Sequence, residues 1–472
     1  MTFYDKTIFL DQFTPVSIYQ KVKKLFGGEI TFLFESVVNS SDGNFSYIII
    51  GARERIWHKD GKSFYKDEKN ITTQIEDNPF LFLKDYYNKI DKTIYKNKGD
   101  ELGIGLIDGF IGNMGYDMVA TFEPVLKPYM KELEDEFDIA DCDLIRPKMV
   151  LVYSHKTSNL TIVTSMSSMK SYIDDIEQSL KDDFSYTPLQ KATLLDEGKF
   201  AHTKEQFFDM IAKSKQMIRS GDVFQILMTN RYTQKAKLDN LSFYRMLRSK
   251  NPSPYLFLLE YEDFCIAGSS PEVMVRLTDD RILLRPIAGT RKRGKTIAKD
   301  KAMEEELKND PKEVAEHVML IDLGRNDVGR VAKAGTVEVT SKMRVERYSH
   351  VMHLVSDVEA TLDSRYDMFD LFASTFTAGT MTGAPKIRAM ELIAQFEKLK
   401  RGFYSGSIAY FGFDGNMDSA ITIRTTMIKD DKVVFQAGAG VVADSIPELE
   451  FLEVNNKLAA NISTLKDLSE IK

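Results

Sequence analysis

Apolar positions in the first 190 residues fall into short runs separated by turn formers. Residues 29–37 (EITFLFESV) and 45–52 (FSYIIIGA) have the dense apolar and aromatic content of strands, bracketed by the turn-like NSSDGN at 39–44. The Lys- and Tyr-rich stretch 84–101 predicts a helix end followed by a solvated loop, and 167–190 an amphipathic helix with a Pro-containing exit. Further on, 204–222 predicts a helix ending at Gly221, and 223–232 (VFQILMTNRY) a strand. Ile282, Leu283 and Leu284 lead into RPIAGT at 285–290, a strand expected to bend tightly at Gly289. Residues 419–428 (SAITIRTTMI) alternate as one strand, with Ala420, Thr422 and Arg424 on a common face.

Helices and strands do not follow the even rhythm of a parallel βαβ protein, so the pattern predicts an α+β class with mainly antiparallel sheet. The boundary falls near 187–200, between an N-terminal region at 1–190 and a catalytic region at 200–465. The net charge of -7 argues against a nucleic-acid binder. Two distant cysteines, Cys142 and Cys265, give no disulfide framework or metal spacing, which fits a reducing cytoplasm. The first residues lack the basic start and apolar core of a signal peptide, and no apolar run is long enough to cross a bilayer.

Chemistry gathers in four segments. In 443–457 (ADSIPELEFLEVNNK), Ser445 and Glu448 have the spacing of a capping box, with Pro447 in the first helical turn. Glu450, Glu453 and Lys457 then share one helix face, where the plain expectation is a solvated ion pair. The lead-in VVFQAGAG (433–440) brings Gly438 and Gly440, which let a backbone approach a ligand and offer N–H groups to an anion. In 310–327, Glu313 and Glu316 repeat the i, i+3 spacing. Two such pairs, if they meet, form a Mg²⁺ site of oxygen ligands. Two carboxylates about 4 Å apart repel by roughly 4 kcal/mol at an effective dielectric of 20, so four together require a cation. Arg424 offers a fork to a carboxylate, the loop before 386 an anion site, and His350 and His353 a general acid or base.

Together these segments resemble the chorismate-utilising enzymes, and among them the large subunits of anthranilate synthases. The resemblance runs from about residue 14 to 462 and is densest in GSSPE (268–272), PIAGTRKRG (286–294), KEVAEHVMLIDLGRNDVGRV (312–331), VMHLVSDV (351–358), TAGTMTGAPKIRAMELI (377–393) and GAGVVADSIPELEFLEVNNK (438–457). It implies two large antiparallel sheets packed face to face with helices outside. It further implies that Glu313, Glu316, Glu450 and Glu453 are associated with Mg²⁺. Tyr404, Arg424, Gly438, Ala439, Gly440 and Lys457 match positions around the enolpyruvyl carboxylate of chorismate, and Thr380 matches a residue lining the ring site. Glu272 matches the acid that protonates the departing hydroxyl, and His353 the histidine associated with pyruvate elimination.

Within the family, isochorismate and salicylate synthases carry a lysine base where this chain has Gln225. Aminodeoxychorismate synthases carry a lysine in the middle of the motif that reads PIAGT here, where Ala288 stands. Gln225 weighs against water as the nucleophile, since an amide cannot deprotonate it, and Ala288 favours anthranilate over aminodeoxychorismate. FLFES (32–36) and NPSPYLF (251–257) resemble the pieces of a tryptophan feedback site, with Glu35, Ser36, Pro254, Tyr255 and Leu256 at the matching positions. No glutaminase nucleophile elbow is present, so the resemblance implies ammonia from a separate glutamine amidotransferase subunit and hence a hetero-oligomer. A non-catalytic amino-acid sensor is the alternative of another class. The intact set of Glu272, His353, Arg424 and four glutamates weighs against it.

Overall fold

The computed structural model describes residues 1–36, 44–76, 78–182, 186–347 and 351–471. His350 and residues 39–43 of the expected turn lie outside them. The described strands join into one hydrogen-bonded network whose named ladders are all antiparallel.

Two branches of that network form two large sheets. The first runs from Thr31–Glu35 through Tyr255–Glu260, Cys265–Ser270, Thr425–Lys429 and Lys432–Val441 to Gln225–Lys237. The second runs from Gly109–Met114 through Ser407–Gly412, Met417–Ile421, Val273–Thr278 and Arg281–Leu284 to Val351–Thr361. The long strands Phe45–Lys59 and Cys142–Ser154 take part in both, with an irregular register between Ala52 and Glu54 where they pass from one to the other. Strands from before and after residue 190 therefore share ladders in each sheet, and a single apolar core links Ile48, Phe110, Phe257 and Phe435.

Several local expectations change. Residues 84–101 fall in two helices, Pro79–Tyr87 and Lys92–Leu102, joined by a short turn at 88–91, because Asn78 and Asp91 cap their N-termini and Phe80, Leu83, Tyr87 and Tyr95 are buried. The strand expected over 419–428 is broken: Met417–Ile421 belongs to the second sheet and Thr425–Lys429 to the first. The chain changes partners across 422–424, and Arg424 takes a left-handed φ of 51° to make the switch. Gly289 does not end its strand. Ile287–Lys292 continues past it along Val351–Thr361, with a bulge between Ala288 and Thr290 and a Gly289 φ of 64°. The last helix, Pro447–Glu470, starts without the expected capping box, since Ile446 is its N-cap and Ser445 Oγ accepts instead from Val442 N at 3.0 Å. Cys142 and Cys265 are both buried and free. No helix among the described residues is long and apolar enough to cross a membrane.

Candidate active site

Asp310 caps the helix Pro311–Gly329, accepting from the N–H groups of Lys312 and Glu313, and Pro311 occupies its first turn. This start sets Glu313 and Glu316 on one face. The strand Lys432–Val441 lies along Gln225–Lys237 with Gly438, Ala439 and Gly440 opposite Thr229, Met228 and Leu227. A side chain at Gly440 would stand 2.8 Å from Gln225 Nε2, so the glycine makes room for that amide. The Gln225 amide in turn acts on the Glu316 carboxylate, opposing the rise in its pKa.

The two carboxylate pairs lie close enough for their charges to be felt across the helices. Burial raises the pKa of Glu316, and repulsion from Glu313 and from Glu453 on the other helix adds to the rise. Burial likewise raises Glu450, with Glu453 pushing the same way. Resident cations offset part of this charge. Arg291 Nη1 lies 3.0 Å from Glu313 Oε1, and Lys457 Nζ lies 2.7 Å from Glu453 Oε1 while donating to the Gly438 carbonyl at 2.8 Å. With side chains drawn to these partners, no group of three or more acidic, His or Cys ligands among the described residues converges as a finished metal cage. The donor set nonetheless suits a hard cation: four carboxylates from two helices, repelling one another and facing a glycine-bordered strand.

Glu272 occupies the turn between Cys265–Ser270 and Val273–Thr278 and is only 6% exposed. Burial pushes its pKa up to about 8, against the opposing pull of a Thr380 hydrogen bond and the Arg424 charge. The Thr380 hydroxyl donates to Glu272 Oε1 at 3.1 Å. Such a carboxyl stays largely protonated near neutral pH, as a general acid requires.

His353 sits on Val351–Thr361, with Nδ1 2.9 Å from the Gly289 carbonyl and 3.2 Å from Thr290 Oγ1. Burial lowers its pKa, the Gly289 carbonyl opposes this, and Arg424 adds to the lowering. A neutral imidazole donating from Nδ1 to Gly289 keeps its basic lone pair on Nε2. The bulge at Gly289 supplies that carbonyl. A Cβ there would meet Glu313 Oε2 at 3.0 Å, so the same residue borders the carboxylate cluster. Tyr404 is buried, its phenol raised by burial and held neutral, and its oxygen receives a hydrogen bond from the Gly438 backbone N–H.

Glu272, Thr380, Arg424 and His353 thus form one electrostatic group. Tyr404, Gly438, Lys457 and the glutamates form a second, joined to it through Gly289. Sequence reading missed Arg291, the partner of Glu313, and the Gly289 carbonyl; the basic run RKRG was the available signal for the former. The five residues expected to form an inhibitor site line a different cavity of about 550 Å³: Glu35, Ser36, Pro254, Tyr255 and Leu256 all face it, with Phe34 and Ile287. Glu35 is buried and its pKa raised by that burial, while Tyr244 donates to Oε2 at 2.7 Å and Arg248 Nε lies 2.9 Å from the same oxygen.

Residues 33–463 match the family model of chorismate binding enzymes. The chain is 39% identical to anthranilate synthase component 1 of Aquifex aeolicus, over 98% of this chain and 94% of that one, and 36% identical to its counterpart in Bacillus subtilis, over 98% and 91%. The crystal structure of anthranilate synthase component I from Streptococcus pneumoniae superposes with a TM-score of 0.76 at 30% identity, covering 96% of this chain and 99% of that one. The Escherichia coli menaquinone-specific isochorismate synthase MenF shares the fold at a TM-score of 0.71 and 17% identity, over 98% and 95%. The chain belongs to the chorismate binding enzyme family, and within it groups with the anthranilate synthase component 1 proteins.

Proposed function

We propose that the chain converts chorismate and ammonia to anthranilate and pyruvate, the committed step toward tryptophan. The buried Glu272 carboxyl, held by the Thr380 hydroxyl and close to the Arg424 charge, is the observation that carries this reading. Ammonia adds at C2 while Glu272 protonates the C4 hydroxyl, which leaves as water and gives aminodeoxyisochorismate. The C2 proton is then removed and the C3 enolpyruvyl group departs as pyruvate with the proton it needs, leaving the aromatic ring. His353, with its lone pair on Nε2, is the group that moves protons in this second stage.

Glu313, Glu316, Glu450 and Glu453 would hold Mg²⁺, which when bound offsets their charge and polarises the ring carboxylate of chorismate. Tyr404, Arg424 and the backbone from Gly438 to Gly440 orient the enolpyruvyl carboxylate, with Lys457 anchored to Gly438. Ammonia arrives from a separate glutamine amidotransferase subunit, a component II, so the working enzyme is a cytoplasmic hetero-oligomer. Tryptophan binds the cavity at Glu35, Ser36, Pro254, Tyr255 and Leu256 and inhibits. Ala288 supports this product over aminodeoxychorismate: Ile287 faces the Glu35 cavity, so strand alternation turns Ala288 to the opposite side, and its methyl offers no amine to compete for C2.

The purified chain, given chorismate, Mg²⁺ and ammonium at about pH 8.5, is expected to yield fluorescent anthranilate and one pyruvate per turnover. Aminodeoxychorismate without pyruvate would overturn the reading.

A further inference from the structure

Arg401, only 1% exposed, is a buried cation for which the proposed reaction has no use. Glu397 clamps its guanidinium, with Nε 2.9 Å from Oε2 and Nη2 2.7 Å from Oε1, and the Tyr116 ring lies 4.8 Å away, centroid to guanidinium carbon. The clamp uses only part of the fork. Nη1 donates to the Met381 carbonyl at 2.7 Å and Nη2 to the Leu227 carbonyl at 2.9 Å.

Those two carbonyls belong to the two halves of the site. Met381 closes the single turn Gly379–Met381, whose Thr380 hydroxyl holds Glu272. Leu227 lies on Gln225–Lys237, opposite Gly440. The bridge from that strand to Gly383–Ala384 covers only Gln225 and Ile226. The Leu227 N–H still reaches the Thr382 carbonyl at 2.8 Å, but the next groups along this edge are met by side chains. Arg401 takes the Leu227 carbonyl, and Glu397 Oε1 takes the N–H of Thr229, opposite Gly438, at 2.8 Å. One ion pair thus fixes the spacing between the turn that holds Glu272 and the strand behind Gly438 and Gly440. A planar fork of directed donors suits this task, whereas an ammonium on a flexible stem does not hold both carbonyls in one geometry.

We propose that Arg401 is a positioning residue for the reaction, holding the Thr380 turn at its working distance from the segment Gly438 to Gly440, given the proposed acid role of Glu272. The polar groups acting on Glu272 are Thr380 and Arg424, so a change at Arg401 reaches it through the turn. Arg401→Lys keeps the charge beside Glu397 and loses the fork. With free ammonia held constant, its kcat/KM for chorismate is expected to fall about tenfold to a hundredfold. Its alkaline limb is expected to move to higher pH, because a displaced Thr380 no longer lowers the Glu272 pKa. Thr380→Val moves the limb the same way, and Arg401→Lys/Thr380→Val is expected to move it no further. If Arg401→Lys does not fold, Tyr116→Leu removes the ring beside the guanidinium, and its phenol oxygen has no hydrogen-bond partner among the described residues to lose. A smaller shift in the same direction is expected there. A wild-type limb in folded Arg401→Lys or Tyr116→Leu protein, or additive shifts in the double variant, overturns the positioning role alone. A wild-type limb in Thr380→Val overturns the acid role of Glu272 and the positioning role with it.

Discussion

The Thr380 hydroxyl donates to Glu272 Oε1, so the bond that orients the proposed acid also stabilises its ionised form. Burial wins over this bond and the Arg424 charge, leaving a pKa of about 8. With free ammonia held constant, kcat/KM is expected to fall as pH rises through about 8, roughly tenfold per unit above it. Thr380→Val removes a contact that lowers the pKa, so the alkaline limb moves to higher pH. A limb that stays put or moves down in a pH–rate profile removes Glu272 from the acid role.

The same shift has a consequence for stability. The folded pKa of Glu272 exceeds its unfolded value near 4.5, so its contribution is present in full below about pH 4.5 and is lost as pH rises through about 8. Glu272→Gln is therefore expected to flatten the fall in denaturation midpoint between those limits. An unchanged slope counts against the buried, protonated carboxyl.

Glu450→Gln separates metal binding from folding. Amide replacement relieves repulsion from Glu453, so metal-free protein is expected to melt about 1–2 °C higher at neutral pH. Mg²⁺-dependent turnover is expected to fall at least about a hundredfold. Wild-type activity with an unaltered Mg²⁺ titration would remove the glutamates from the metal site.

His353→Ala is expected to slow pyruvate release by about 10²–10⁴ and to accumulate the aminated intermediate, seen as chorismate consumption without anthranilate fluorescence. Parallel loss of both stages would make the imidazole structural, through Gly289, and not a proton carrier.

In the Glu35 cavity, Glu35→Gln is expected to weaken tryptophan binding about tenfold or more, with turnover in its absence little changed. Direct titration decides this, and equal affinity would remove Glu35 from the inhibitor site.

Much of this architecture was legible because it is local. The i, i+3 spacing of Glu313/Glu316 and Glu450/Glu453 is a property of single helices, and the dense apolar content of 29–37 and 45–52 a property of single strands. What escaped reading depends on partners distant in sequence. The break at 422–424 exists because Ile421 and Thr425 pair in different sheets, which alternation cannot reveal. Ser445 had the right neighbours for a capping box but is engaged by Val442 N. Gly289 looked like a turn residue, and its left-handed φ does make a special position, but a bulge within a ladder uses it. The association of the two carboxylate pairs was implied by the family resemblance and the Glu453–Lys457 pair by helix spacing, whereas the pairing of Glu313 with Arg291 needed the fold.

The ladder between Tyr255–Glu260 and Cys265–Ser270 sets Tyr255 opposite Ser270 and Leu256 opposite Ser269, two and three residues before Glu272. Strand Thr31–Glu35 is one ladder further away, with Glu35 opposite Leu256. If the proposed tryptophan site is the cavity at Glu35, this order makes its two halves unequal for anyone breeding an overproducing strain. Substitutions at 254–256 that relieve end-product control will carry a penalty in turnover, because they disturb the strand that delivers the acid. Desensitising changes at 35 and 36 will be the ones that selection for high flux retains.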